Sequence, residues 1–245
     1  MFHNIEIKKG AFIVADAHYS HLRPQFLDFL KDIYSKKLRP TQLILMGDIF
    51  DTLFGGVPSS VQINSEAVEL LNAISQDLEV LYLEGNHDFN LKYIFPNAKV
   101  FSIAQQPVAC AHESKKILLA HGDFESDLGY RIYTAVIRNP FVLVFLRVLN
   151  FLSFNTIIKK LDAYLGKKED CKEFRGFEAF IAKRLDNKYA SDYFIEGHFH
   201  QNKTLHLSKM TYINLGAFAC NQRYFVVKFS KELGPLEEKM FYKDR

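Results

Sequence analysis

The sequence predicts an α/β domain interrupted by a helical insertion, and three observations predict it. Apolar runs at residues 11–15, 43–46 and 80–83 alternate with helical patterns at residues 21–37 and 64–78. Such β-α-β-α-β alternation implies a largely parallel sheet covered by helices. Strand patterns return at residues 117–120, 193–195, 211–213 and 224–229, whereas residues 126–188 read as helical without an intervening strand. The organisation expected is one core formed by residues 1–125 and 189–245, with residues 126–188 as an insertion or lid.

Each element has a local reason. Over residues 21–37, Phe26, Leu30, Ile33 and Tyr34 fall near helical spacing; over residues 64–78, Ala67, Val68, Leu71 and Ile74 share one side. Each short apolar run ends abruptly in a polar, Gly-containing or Asp-led cluster. Residues 166–172 (GKKEDCK) read as a polar connection inside the helical stretch, with its lysines as a solvated charge run. No internal repeat or low-complexity linker divides the chain.

Composition narrows the class. A chain of 245 residues with 48% hydrophobic and 24% charged residues suffices for one sizeable globular domain. Its 23 Phe and 12 Tyr, with no Trp, imply a Phe-filled core and leave material for an apolar cleft. A net charge of +3, with no basic stripe interleaved with aromatics, argues against nucleic acid as a partner. Cys110, Cys171 and Cys220 are odd in number and widely spaced, which argues against a disulfide framework and fits a reducing cytosol. The first residues lack a long apolar stretch before a small-residue cleavage site, so no secretion is expected. The most apolar run, residues 141–154, follows Pro140 and is interrupted by Arg147 and Asn150. It falls short of the about 20 apolar residues that a membrane span needs.

The chemistry lies at the strand ends. Asp16-Ala17-His18, Gly47-Asp48-Ile49-Phe50-Asp51, Gly85-Asn86-His87-Asp88, His121-Gly122-Asp123 and Gly197-His198-Phe199-His200 each follow an apolar run. In open α/β sheets, ligands bind beyond the carboxyl ends of the strands, so five distant clusters can meet at one edge. Carboxylate, imidazole and amide oxygen suit manganese, iron, zinc or magnesium, and no thiolate stands among them. Two ions about 3.5–4 Å apart can stabilise both the attacking and the leaving oxygen of a phosphoryl displacement. One Asp after a strand is usually a helix cap, and one His at a strand end is usually structural. Five such clusters in this order are not explained that way. His3, His21, His112 and His206 lie outside the clusters and read as structural or exposed.

DAH at 16–18, GDIFD at 47–51, GNHD at 85–88, HGD at 121–123 and GHFH at 197–200 resemble the motifs of the calcineurin-like metallophosphoesterases. The resemblance runs from Asp16 to Asn214. It implies an αββα sandwich of two sheets and two divalent metal ions. Carried onto this sequence, Asp16, His18, Asp48 and His200 would bind one ion, and Asp48, Asn86, His121 and His198 the other, with Asp48 as the bridge. Metal-activated water would be the nucleophile. His87 would sit beside the phosphate as a catalytic group, with Asp51 and Asp88 orienting histidine ligands.

A narrower resemblance covers residues 117–161, where Asp127, Tyr130-Arg131 and Arg138-Asn139-Pro140 precede the apolar run. This stretch is similar to the UDP-2,3-diacylglucosamine hydrolases of lipid A synthesis, whose helical lid follows the HGD motif. It implies hydrolysis of the pyrophosphate of UDP-2,3-diacylglucosamine to 2,3-diacylglucosamine 1-phosphate and UMP. It also implies substrate contacts at Asp127, Tyr130, Arg131, Phe141 and Phe145. Manganese is the ion expected, with iron or zinc as alternatives. The expected location is cytoplasmic, peripheral on the inner face of the membrane. The run at 141–154 is apolar nearly all round a helix, where a surface helix shows only a stripe, which fits an acyl chain, a membrane interface or a partner. Many enzymes of this narrower family carry Arg where this chain has His87. The alternative is a metal-dependent phosphomonoesterase or phosphodiesterase acting on a soluble nucleotide or nucleotide sugar.

Overall fold

A computed structural model of the chain describes residues 5–124, 128–185, 187–230 and 234–242, and only the backbone of Arg131 and Ser230. In chain order the elements are β1 (Ile5–Glu6), β2 (Phe12–Val14), α1 (Gln25–Tyr34), β3 (Leu43–Leu45), β4 (Leu53–Phe54), α2 (Pro58–Ile63), α3 (Ser65–Asp77), β5 (Val80–Leu83) and β6 (Asp88–Phe89). Then come β7 (Lys99–Phe101), β8 (Val108–His112), β9 (Lys115–Ala120), α4 (Leu128–Ile137), α5 (Pro140–Leu152), α6 (Thr156–Leu165) and α7 (Phe177–Leu185). The chain closes with β10 (Tyr193–Glu196), β11 (Lys203–His206), β12 (Thr211–Asn214), α8 (Phe218–Asn221), β13 (Arg223–Ser230) and β14 (Gly234–Met240).

Two six-stranded sheets face each other. One runs β14-β13-β2-β3-β5-β7, with β2, β3, β5 and β7 parallel; the other runs β1-β8-β9-β10-β12-β11, with β9, β10 and β12 parallel. Strands β2, β3 and β5 are buried on both faces, as parallel strands covered on each side must be. Because side chains alternate along a strand, Ile13, Ile44 and Leu81 turn toward Ile117, Leu119 and Ile195 of the other sheet. Phe12, Leu43 and Tyr82 turn outward against Phe29, Leu30 and Leu71 of α1 and α3. On the far side, Phe177, Ile181 and Leu185 of α7 cover Leu118, Phe194 and Tyr212. The layers are therefore helix, sheet, sheet, helix: the αββα sandwich.

From residue 128 to 185 the described residues form four helices and no strand. α7 belongs to the sandwich, so α4, α5 and α6 are the helices with less cover. Asn139 starts α5: its side chain accepts from the backbone N–H groups of Phe141 at 2.9 Å and Val142 at 3.4 Å, and Pro140 fills the first turn.

The cysteine expectation fails. Cys171 and Cys220, 49 residues apart, are joined in a disulfide with Cα atoms 5.7 Å apart, while Cys110 is a buried free thiol. Sequence spacing carries no information about a pairing that the tertiary fold creates. The inference from cysteines to a reducing compartment falls with it, since disulfides persist in oxidising ones.

Candidate metal centre

The five polar clusters converge. Asp16, His18 and His200 offer ligand atoms all within 4.8 Å of one another, and so do Asp48, His121 and His198. A third such group, His18, Asp51 and His87, overlaps the first. The parallel strands β2, β3 and β9 with β10 deliver these residues at their carboxyl ends, as the topology requires.

The local backbone is bent for the purpose. Asp16, His18, Asp48, His198 and His200 all have φ between 46° and 64°. That left-handed region is uncommon for residues with a Cβ, and such strain gathers at functional sites. Gly85 is required by close approach: a Cβ there would lie 2.2 Å from Asp48 Oδ1.

Backbone carbonyls and carboxylates aim the imidazoles. His121 Nδ1 donates to the Met46 carbonyl at 2.9 Å, which turns Nε2 toward Asp48 Oδ2 and Asn86 Oδ1, each 3.4 Å away. His200 Nδ1 donates to the Asp170 carbonyl at 2.6 Å, leaving Nε2 3.2 Å from Asp16 Oδ1. His18 Nδ1 pairs with Asp51 Oδ1 at 3.0 Å. Holding one ring nitrogen by a hydrogen bond fixes the tautomer that presents the other to a metal. His18 Nε2 is buried and has no hydrogen-bond partner among the described residues, as a ligand atom awaiting a cation should be.

The electrostatics call for positive charge. Burial alone would raise the Asp48 carboxyl, but the charges of His121 and His87 outweigh it and hold it well below the usual range. Asp16 is likewise pushed up by burial and pulled down further by His200 and His121. Burial disfavours charged His121 and His200, yet Asp48 raises the first well above the ordinary value and Asp16 raises the second to about 9. Buried carboxylates that demand cationic neighbours fit divalent ions, which would displace those protons.

Other expected positions differ in detail. Asp88 does not orient a histidine. It accepts from the backbone N–H groups of Asp48 (3.0 Å), Ile49 (2.7 Å) and Gly85 (2.9 Å) and from the Tyr82 hydroxyl (2.6 Å), so it splices two motif loops together. Burial next to Asp48 pushes its carboxyl up to about 7. His87 donates its backbone N–H to Asp48 Oδ1 at 2.8 Å, and its Nδ1 donates to the Asp51 carbonyl at 3.1 Å, leaving Nε2 for a ligand. Tyr130 donates to Asp123 Oδ2 at 3.4 Å, just past the HGD motif. Asp127 and the Arg131 side chain lie outside the described residues.

A cavity of about 350 Å³ adjoins the centre: Asn86 and His87 line it together with Phe54, Val57, Leu143, Leu146 and Ile158. Phe141 and Phe145 do not line it. They are 84% and 61% exposed, so any substrate contact they make lies outside this cavity. On a helix apolar all round, the sequence does not say which stripe faces inward; Leu143, Leu146 and Asn150, three and four residues apart, do. Sequence reasoning also missed the Asp170 and Met46 carbonyls, which no side-chain motif encodes. Asp162 was missed too: it accepts from Thr52 at 2.8 Å and pairs with His21 at 2.9 Å, tying α6 beside the GDIFD motif.

The family model for calcineurin-like phosphoesterases matches residues 11–202, and every motif described above lies within that span. The chain belongs to this family. It is a metal-dependent phosphoesterase, and its Asp and His clusters fit a dinuclear divalent-metal site. Among curated relatives, a UDP-2,3-diacylglucosamine hydrolase of Haemophilus influenzae is 24% identical over 225 residues, covering 87% of this chain and 92% of the relative. One of the same name from Histophilus somni is 26% identical over 55% of this chain and 58% of its own length. Another from Pseudomonas fluorescens is 26% identical over 61% of each. The matches to the last two thus span about three fifths of those relatives. A solved phosphoesterase, Yfce from E. coli, aligns over 94% of this chain and 98% of its own at 12% identity, with a TM-score of 0.47.

Proposed function

We propose that this phosphoesterase cleaves the diphosphate of UDP-2,3-diacylglucosamine with water, giving 2,3-diacylglucosamine 1-phosphate and UMP. The observation that carries this reading is the apolar cavity lined by Asn86 and His87 from the GNHD loop and by Leu143, Leu146 and Ile158 from the insertion. A soluble nucleotide sugar has no use for such walls, whereas an acyl chain fills them. Relatives named for this reaction support the same substrate class.

Asp16, His18, Asp48 and His200 would hold one ion, and Asp48, Asn86, His121 and His198 the other. Asp48 falls in the second geometric group, but its charge also acts on His18 of the first, which suits a bridging role. Two such ions, manganese being the favoured species, would lower the pKa of water and neutralise negative charge on the phosphoryl oxygens. His87, with Nδ1 held by the Asp51 carbonyl, directs Nε2 toward the reacting phosphate and can deliver a proton to the leaving oxygen. Tyr130 would meet the polar part of the substrate beside Asp123. Within residues 126–188, α4, α5 and α6 would serve as the insertion that receives the lipid, while α7 covers the second sheet.

The outer face of that insertion suits attachment to the inner face of a membrane. Phe141, Phe151, Leu152 and Phe154 are 67–87% exposed, and Arg147 of α5 and Lys159 and Lys160 of α6 are exposed too. Among the described residues no single helix is long and apolar enough to cross a membrane, and α4 and α5 reach that length only as a pair bent by 61°; the attachment proposed is peripheral. A cytoplasmic location follows from this substrate and not from the cysteines.

The test is kcat/KM for UDP-2,3-diacylglucosamine against UDP-glucosamine. Each buried CH₂ contributes about 0.8 kcal/mol, or about fourfold. A preference of about 100-fold or more for the acylated substrate is therefore expected. Equal values would overturn the lipid reading and favour a soluble nucleotide or nucleotide sugar.

A further inference from the structure

Arg138 stands between α4 and α5, immediately before the Asn139 cap, where the two helices meet at 61°. Three contacts tie it to the stretch that carries GNHD. Its Nη2 donates to the Gly85 carbonyl at 2.8 Å. Its guanidinium lies over the Phe89 ring, 5.0 Å from the centroid. Its own carbonyl accepts from Asn90 Nδ2 at 3.4 Å. Three separate grips by residues 85–90 fix this one side chain and its backbone.

The grip bears on the metal centre through one peptide. Gly85 packs directly on Asp48, and its carbonyl belongs to the peptide that joins it to Asn86. Rotation of that peptide would swing the Asn86 amide away from His121 Nε2, which is 3.4 Å from Asn86 Oδ1. It would also disturb the His87 N–H that donates to Asp48 Oδ1. A charged donor on the carbonyl makes a strong hydrogen bond and resists that rotation.

The charge itself is costly where it sits. The Arg138 side chain is 11% exposed, and the nearest carboxylate, Asp123, is 3.9 Å away. Nε and Nη1 are buried with no hydrogen-bond partner among the described residues. A methionine would fill the same space without the desolvation cost. A buried, incompletely neutralised guanidinium kept at this point needs a role beyond packing.

We infer that Arg138 is a positioning residue for the two-metal centre: it locks the Gly85–Asn86 peptide for metal binding and couples the α4–α5 hinge to the GNHD loop. Its effect runs through Asn86, so it acts chiefly on the ion held with His121 and His198. The inference rests on the two-metal site and not on the lipid substrate, so the two can fail separately.

The test uses the full chain and Mn²⁺ alone. Calorimetric titration of metal-free parent, Arg138→Met and Arg138→Lys gives the number and affinity of bound ions, and turnover of a small aryl phosphodiester is followed against Mn²⁺ concentration. For Arg138→Met, affinity for one of the two ions should fall roughly 10–100-fold, the range for groups that orient metal ligands. The other ion should be unaffected, and kcat should recover at saturating Mn²⁺. Arg138→Lys, which keeps a charged donor but loses the planar stack on Phe89, should restore most of the affinity. If Arg138→Met is too unstable to titrate, Phe89→Leu, which removes the ring beneath the guanidinium but keeps an apolar side chain against Phe54, Val57 and Leu143, should show the same selective loss in smaller degree. Two ions bound as in the parent by Arg138→Met, or by Arg138→Lys and Phe89→Leu where Arg138→Met cannot be measured, would overturn the inference. Equal weakening of both ions would overturn it as well.

Discussion

In the loops that bear the motifs, Asp16, Asp48, His121 and Asp88 are at most 2% exposed, and hydrogen bonds account for their orientation. In α5, a short distance along the chain, Phe141 is 84% exposed and apolar residues face both cavity and solvent. The first region holds polar groups in strained, left-handed backbone that only a rigid surround maintains. The second leaves apolar groups exposed, and contiguous exposed apolar surface marks an interaction site. Under the proposed function, chemistry and substrate choice would be built by opposite means. Damage to the loops should abolish turnover of any substrate. Damage to the insertion should change which substrate is turned over.

The largest effect expected is on Asp48. Asp48→Ala removes an expected ligand from the centre and the acceptor of the His87 N–H. Both ions should bind more weakly, by more than the roughly 10–100-fold that loss of an orienting group costs. Turnover of a small aryl phosphodiester should vanish with them, as elemental analysis and a rate assay would show. Two ions retained with near-parental turnover would remove Asp48 from the bridging position.

His87 sharpens the same side of the contrast. His87→Ala should lower kcat by roughly 10²–10⁴, as for loss of a general acid or base. Metal content should hold, because His87 belongs to neither of the two expected ligand sets and its Nδ1 is engaged by the Asp51 carbonyl. Loss of an ion from this variant would make it a ligand, in keeping with the third cluster formed by His18, Asp51 and His87.

The two regions also differed in how far the sequence disclosed them. The strands that deliver the motifs, β2, β3, β5, β9, β10 and β12, were legible because each is a short buried run that stops at a polar residue. β4 and β6 were missed because two residues each carry no period, and β11 and β14 because their exposed edges are polar. In the site, side-chain ligands follow from residue type and order. The Met46 and Asp170 carbonyls that orient His121 and His200 do not, since every residue has a carbonyl and only the fold brings one into place. The same limit hid the Cys171–Cys220 bridge. In α5 the period itself was uninformative: with apolar residues on all sides, Phe141 and Phe145 were as eligible for the cavity as Leu143 and Leu146, and tertiary packing made the choice.

The most direct test of this division of labour uses one substitution and two substrates. Leu146→Asp places a charge in the cavity wall and leaves every expected metal ligand unsubstituted. kcat/KM is measured for UDP-2,3-diacylglucosamine and for a small aryl phosphodiester, on parent and variant. The account predicts a loss of more than about tenfold on the acylated substrate, in line with the burial of a few CH₂ groups, and a change of less than about twofold on the aryl ester. Equal losses on both substrates, or no loss on either, would contradict it.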